Sequence, residues 1–167
     1  MIYFTADNHF GHANIIRHCS RPFTNIDEMN REMARRWNER VKKDDLVYHL
    51  GDFAFRGNEA ASYRRNLNGR IILILGNHDR RKDVMNAGFE SIYDLAQVSV
   101  DGTLLVLCHY AMRVWNKSHH GALHLYGHSH GTLPGTAQSL DVGVDCWDFR
   151  PVTLAEIKDR LNVVAPQ

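Results

Sequence analysis

Five short apolar runs constrain this chain more than any other feature: Ile2–Ala6, Leu46–Leu50, Ile71–Leu75, Leu104–Cys108 and Leu123–Tyr126. They are rich in β-branched residues and nearly unbroken by polar ones, the pattern of strands buried on both faces. Each run also stops on a polar residue or cluster. The first ends in ADNH, the second in GD, the third in GNHD, the fourth in His109 and the fifth in GHSH.

The segments between the runs have helical and turn signals. In TNIDEMNREMARRWNERVKK, Ile26, Met29, Met33 and Trp37 recur at helical spacing, and Asn25 with Glu28 has the form of a capping box. NEAASYRRNL predicts a second helix, opened by Asn58 and ended near Gly69, and a short third helix follows Asn77–Asp79. SIYDLAQVSVDGTLLVLCHY alternates about Asp101-Gly102 as a β-hairpin does, so parallel pairing is expected to give way to antiparallel pairing there. SLDVGVD reads as another strand, Thr153 with Glu156 caps a last helix over LAEIKDRL, and the tail NVVAPQ reads as frayed. No repeat or linker interrupts residues 1–167, so the expected fold is a single α/β domain, a two-layer β-sandwich of mixed sheets flanked by helices.

Charge and composition narrow the partners. A net charge of +1 gives no overall electrostatic reason to bind polymeric nucleic acid, and no apolar run approaches the ~20 residues of a membrane span. MIYFTADNHF lacks the basic region, apolar core and small-residue cleavage site of a signal peptide, so a cytoplasmic location is expected. Cys19, Cys108 and Cys146 are odd in number and lack the close pairing of thiolate zinc sites, and so read as reduced structural thiols. Histidine is the outlier, with eleven copies, most of them beside Asp, Asn or Gly.

Ligands gather in the crevice at the carboxyl ends of strands in open α/β sheets, so polar residues scattered over Asp7 to His130 can converge there. The ordered set D-x-H, GD, GNHD, an isolated His and GHxH resembles the calcineurin-like metallophosphoesterase family. The resemblance implies that Asp7, His9 and His130 bind one divalent metal, that Asn77, His109 and His128 bind a second, and that Asp52 bridges the two. Side chains one residue apart in an extended segment point to opposite faces, so HSH must turn tightly for its imidazoles to serve neighbouring ions about 3.5–4 Å apart. A donor set of N and O atoms suits Mn²⁺, the preferred expectation, and also Fe, Zn²⁺, Ni²⁺ or Co²⁺.

The chemistry implied is hydrolysis of a phosphoester by in-line attack of a hydroxide held between the metals. His78 matches the family's catalytic histidine, placed to protonate the departing oxygen. Arg56, four residues after Asp52 in GDFAFRG, matches a phosphate-gripping arginine, but Phe55 stands where the serine/threonine phosphatase branch has Asp. A small phosphodiester, a nucleotide among the candidates, is the expected substrate. A phosphomonoesterase with the same centre and a non-catalytic metal-binding module are the alternatives.

Other residues have two readings each. His12 is either a helix-entry residue or a phosphate contact beside the first metal. Asp79 caps the next helix or orients its loop. Arg113 and Trp115, in the loop that holds His119 and His120, either contact substrate from a lid or anchor an exposed loop. His49 and His124 read as structural, and the oligomeric state is open.

Overall fold

The computed structural model describes residues 1–164. Strands β1 (Ile2–Thr5), β2 (Leu46–His49), β3 (Arg70–Ile74) and β4 (Ser91–Tyr93) pair in parallel, and β9 (Val152–Thr153) adds to β1 antiparallel, giving the order β4-β3-β2-β1-β9. A second sheet has the order β5-β6-β7-β8, from β5 (Leu95–Val100), β6 (Thr103–Cys108), β7 (Leu123–Tyr126) and β8 (Ser139–Asp141). The hairpin β5–β6 turns at Asp101 and Gly102, both at positive φ as a two-residue type I′ turn demands. Antiparallel pairing in this sheet stops at the hairpin, because β6–β7 and β7–β8 are parallel. Each of those connections is long enough to cross over and bring the chain back in the same direction.

The apolar runs are buried on both faces because successive side chains enter different cores. Tyr3, Val47, Ile71 and Leu73 face a cluster with Met29, Met33 and Trp37 of helix α2 (Ile26–Arg40). Phe4, Tyr48 and Ile74 face Leu105, Leu107, Leu125 and Leu140 between the sheets, joined by Ile157 and Leu161 of helix α5 (Leu154–Val164). Trp37 and both methionines are fully buried, as their helical spacing predicts. Helix α2 starts at the expected cap: the Glu28 N–H donates to Asn25 Oδ1, while Glu28 Oε2 accepts from Thr24 N–H, one residue before the box would have it.

Several boundaries differ from expectation. The second helix is broken into a 3₁₀ turn, Gly57–Glu59, and a short helix α3 (Ala60–Arg64). Asn58 makes no cap, and the Arg64 guanidinium closes the end by donating to the carbonyls of Leu67 and Gly69. A helix α1 (Ala13–His18) precedes α2, and α4 (Arg81–Val84) follows the GNHD loop. SIY joins the first sheet rather than the hairpin, and SLDVGVD stops as a strand at Asp141, before a 3₁₀ turn at Val144–Cys146. Helix α5 continues through Val164, so residues 162–164 of the tail are helical and 165–167 lie outside the described residues.

Candidate metal centre

The carboxyl ends of β1, β2, β3, β6 and β7 lie together, and the loops leaving them are stitched by main-chain bonds. Asp7 N–H donates to the Gly51 carbonyl (2.9 Å), His9 N–H to Asp52 (2.9 Å) and Gly127 N–H to His109 (3.0 Å). The second sheet is tied in where Val144 N–H reaches the Ala6 carbonyl at 2.9 Å. Asp7, His9, Asp52, His128 and His130 all have φ between 46° and 66°. Non-glycine residues in this region cost about 1–3 kcal/mol each and persist only where the surroundings impose them. The turn required of HSH is therefore present, with both histidines left-handed.

Gly127 is needed for close approach. A Cβ there would stand 2.6 Å from both Asp7 Oδ2 and the Ala6 methyl. Asp7 Oδ2 already accepts the His128 N–H at 2.8 Å, so the first and last of the motifs are bonded directly.

Two of the four possible donor groups among the described residues consist of expected ligands alone. Asp7, His9 and His130 bring ligand atoms within 4.8 Å of one another, and so do Asp52, His109 and His128. Asp52 lies between them, its Oδ2 being 3.4 Å from His9 Nε2 and 3.5 Å from His109 Nε2. Its other oxygen accepts the His78 N–H at 2.9 Å. Asn77 Oδ1 stands 3.2 Å from His109 Nε2. Asp7, His9, Asp52 and His109 form a buried floor, His78 and His130 are half-buried, and Asn77 and His128 are exposed at the mouth.

The floor has unmet donor and acceptor capacity. Asp7 Oδ1 and both ring nitrogens of His9 are buried without a hydrogen-bond partner. Burial, with His130 and Arg21 beside it, holds the His9 imidazole far below its usual range, so it is neutral. Burial and the neighbouring Asp141 and Asp52 push the Asp7 carboxyl well above its usual range. Buried polar atoms in native proteins nearly always find partners, and a converging set of neutral imidazoles and carboxylates fits divalent cations.

A model of the calcineurin-like phosphoesterase superfamily domain matches residues 2–142 of this chain. The chain belongs to that superfamily. An uncharacterized protein of Methanocaldococcus jannaschii is 32% identical to this chain over 163 residues, covering 92% of this chain and 86% of that protein. The Gene 66 protein of Mycobacterium phage D29 is 27% identical over 195 residues, 96% of each chain. A crystal structure of a protein of unknown function from Aquifex aeolicus superposes with a TM-score of 0.78 at 27% identity, covering 96% of this chain and 98% of that one. The mixed two-sheet fold of this chain is shared with that protein along nearly its whole length.

Around the donor groups stand His78, its ring 5.0 Å from that of His9, and His12, stacked on the exposed Phe55 at 4.1 Å. His78 also belongs to a third possible donor group, with His9 and Asp52. Asp79 orients the loop and does not cap α4: its carboxylate accepts the N–H groups of Asp52, Phe53 and Gly76, and burial pushes it up to about 7.

The remaining expected contacts are not drawn in. Arg56 is exposed and loosely paired with Glu59 at 3.8 Å. Trp115 donates its indole N–H to the Ala122 carbonyl and packs on His124, which in turn donates to Val106 and accepts from Met112 N–H. The loop thus anchors against the second sheet, and among the described residues no hydrogen bond, ion pair or ring contact joins Arg113 or Trp115 to the cluster.

The sequence reading missed Asp141, Asp145 and Arg21. Asp141 accepts the N–H groups of Gly131 and Gly143, holding the GHSH loop against β8. Asp145 Oδ2 lies 2.7 Å from His130 Nδ1 and pairs with Arg21, and despite its burial these two partners keep its carboxyl below the usual range. Among the described residues no helix is long and apolar enough to cross a membrane.

Proposed function

We propose that this chain is a dinuclear metal-dependent phosphodiesterase. The single observation that carries the reading is Asp52 Oδ2, set between His9 and His109 where one carboxylate oxygen can serve two donor groups. Asp7, His9 and His130 would hold one ion, Asn77, His109 and His128 the other, with Asp52 common to both. Mn²⁺ is the favoured metal, and Fe, Zn²⁺, Ni²⁺ or Co²⁺ suit the same donors. Bound there, two divalent cations supply charge neutralisation on the phosphoryl oxygens and a lowered pKa for a coordinated water.

The protein's own groups complete the site. The His109 Nδ1–H donates to the Leu50 carbonyl at 2.7 Å, which leaves Nε2 as its ligand atom. His78, anchored through its backbone to Asp52 and half-buried beside His9, is the group assigned to protonate the leaving oxygen. His12 and Asn77 line the approach of the phosphoester.

The diester preference is supported by the rim. Exposed Phe55 and Tyr110 flank the cluster, Tyr110 lying 4.9 Å from the His109 ring and 4.8 Å from that of His128. Among the described residues no hydrogen bond or ion pair joins a Lys or Arg side chain to the side chains of the candidate ligands, and Arg21 is buried. A monoester approaches two negative charges at neutral pH, its second ionisation lying near about pH 6. A diester has one and needs less cationic help.

Steady-state comparison of bis-(p-nitrophenyl) phosphate with p-nitrophenyl phosphate tests this. The higher kcat/KM is expected for the diester. A monoester preference overturns the subclass, and no turnover of either ester in the metal-loaded protein speaks against a hydrolase.

A further inference from the structure

We infer that the buried Arg21–Asp145 pair is a positioning brace for one of the two ions, the one assigned to Asp7, His9 and His130, and leaves the other untouched. The inference rests on the two-ion reading. Arg21 has a fully buried side chain that bonds to Asp145 and to the main chain of the segment that carries Asp7 and His9. Its Nε and Nη2 donate to the two oxygens of Asp145 at 2.8 Å each. Nη2 also donates to the Asp7 carbonyl at 2.7 Å, and Nη1 to the Asn8 carbonyl at 3.0 Å.

These acceptors are where a brace is needed. Asp7 and His9 both take left-handed backbone conformations, and the two carbonyls held by Arg21 lie on the path between them. Asp145 in turn faces His130 Nδ1 at 2.7 Å. A carboxylate accepts but does not donate, so His130 is protonated on Nδ1 and presents Nε2 as its free lone pair. One guanidinium thereby sets the backbone around Asp7 and His9 and, through Asp145, the tautomer of His130.

In the second group His109 is fixed by other means. His109 takes its tautomer from the Leu50 main-chain carbonyl at the end of β2, which no side-chain substitution removes. Outer partners of metal-bound histidines are worth roughly 10–100-fold in metal affinity. Removing Asp145 should therefore weaken one equivalent of metal and spare the other.

The test is calorimetric titration of chelator-stripped protein with Mn²⁺, comparing wild type, Asp145→Asn and the paired Arg21→Met, Asp145→Leu variant. The pair removes both buried charges together and remains informative where the single change fails to fold. Wild type is expected to take two equivalents. Both variants should retain one at wild-type affinity and bind the other roughly 10–100-fold more weakly. In metal-free wild type, long-range ¹H–¹⁵N correlation should place the His130 proton on Nδ1, and in the paired variant that preference should be lost. Two unchanged equivalents, or two weakened alike, overturn the brace. A wild type that binds fewer than two Mn²⁺ overturns the two-ion reading itself, whatever the variants do.

Discussion

His9 Nε2 stands 3.4 Å from Asp52 Oδ2, and no hydrogen bond joins them. Both groups are buried, and the imidazole is neutral. An unpaired buried donor or acceptor costs about 1–3 kcal/mol, so a protein that leaves several together is paying for something other than stability. A shared cation accounts for the arrangement, since ligand atoms must converge with their lone pairs free. The same argument covers Asp7 Oδ1, which is also buried and unpartnered.

His78→Ala should lower kcat by roughly 10²–10⁴-fold, the usual range for a lost general acid, with metal content near that of wild type. Elemental analysis of the variant is the deciding readout. His78 shares a possible donor group with His9 and Asp52, so loss of an ion would reassign it from acid to ligand.

Gly127→Ala should impair both folding and metal uptake. The added methyl would meet Asp7 Oδ2 and the Ala6 methyl at 2.6 Å, and neither belongs to a long flexible side chain that could swing aside. Overpacking of this kind costs about 1–3 kcal/mol. A variant with unchanged melting temperature and full metal content would contradict the close approach described for this loop.

Glu156 provides a pH-dependent contribution to stability. Its burial works against ionisation, but Arg40 in bidentate contact at 2.8 and 2.7 Å and the Thr153 N–H and hydroxyl hold its carboxyl down to about 2. A depressed carboxyl stabilises the fold above its unfolded value of about 4.3 and loses that contribution as pH falls through the folded value. Glu156→Gln should thus lower the melting temperature at neutral pH by about 2–4 °C, for roughly 1 kcal/mol after allowing for partial exposure. The gap should close between about pH 4 and pH 2. A gap that persists unchanged at pH 2 would mean that the carboxylate charge is not its source.

Much of the fold was legible because its signals are local. The five apolar runs are strands, their polar ends do converge, and helix α2 buries the face that Met29, Met33 and Trp37 mark out. What was not legible depends on pairing at a distance. Helix α1 has six residues, no acidic first turn and no side-chain cap, so nothing in the sequence announces it. A single residue, Asp94, separates β4 from β5, and the continuous alternation hides a change of sheet. Asp145 reads as the end of a strand until the 3₁₀ turn brings it under His130. Arg21 and Asp145 are 124 positions apart and meet only in the folded chain. Trp115 could equally have been a platform or an anchor from sequence, and the carbonyl that takes its indole N–H is seven residues away.

Metal content measured together with diester hydrolysis tests the central claim most directly. Purified protein should hold about two divalent ions per chain, and its turnover of bis-(p-nitrophenyl) phosphate should disappear on chelation and return with Mn²⁺. Full turnover by metal-free protein, or a chain that takes up no metal at all, would contradict the account.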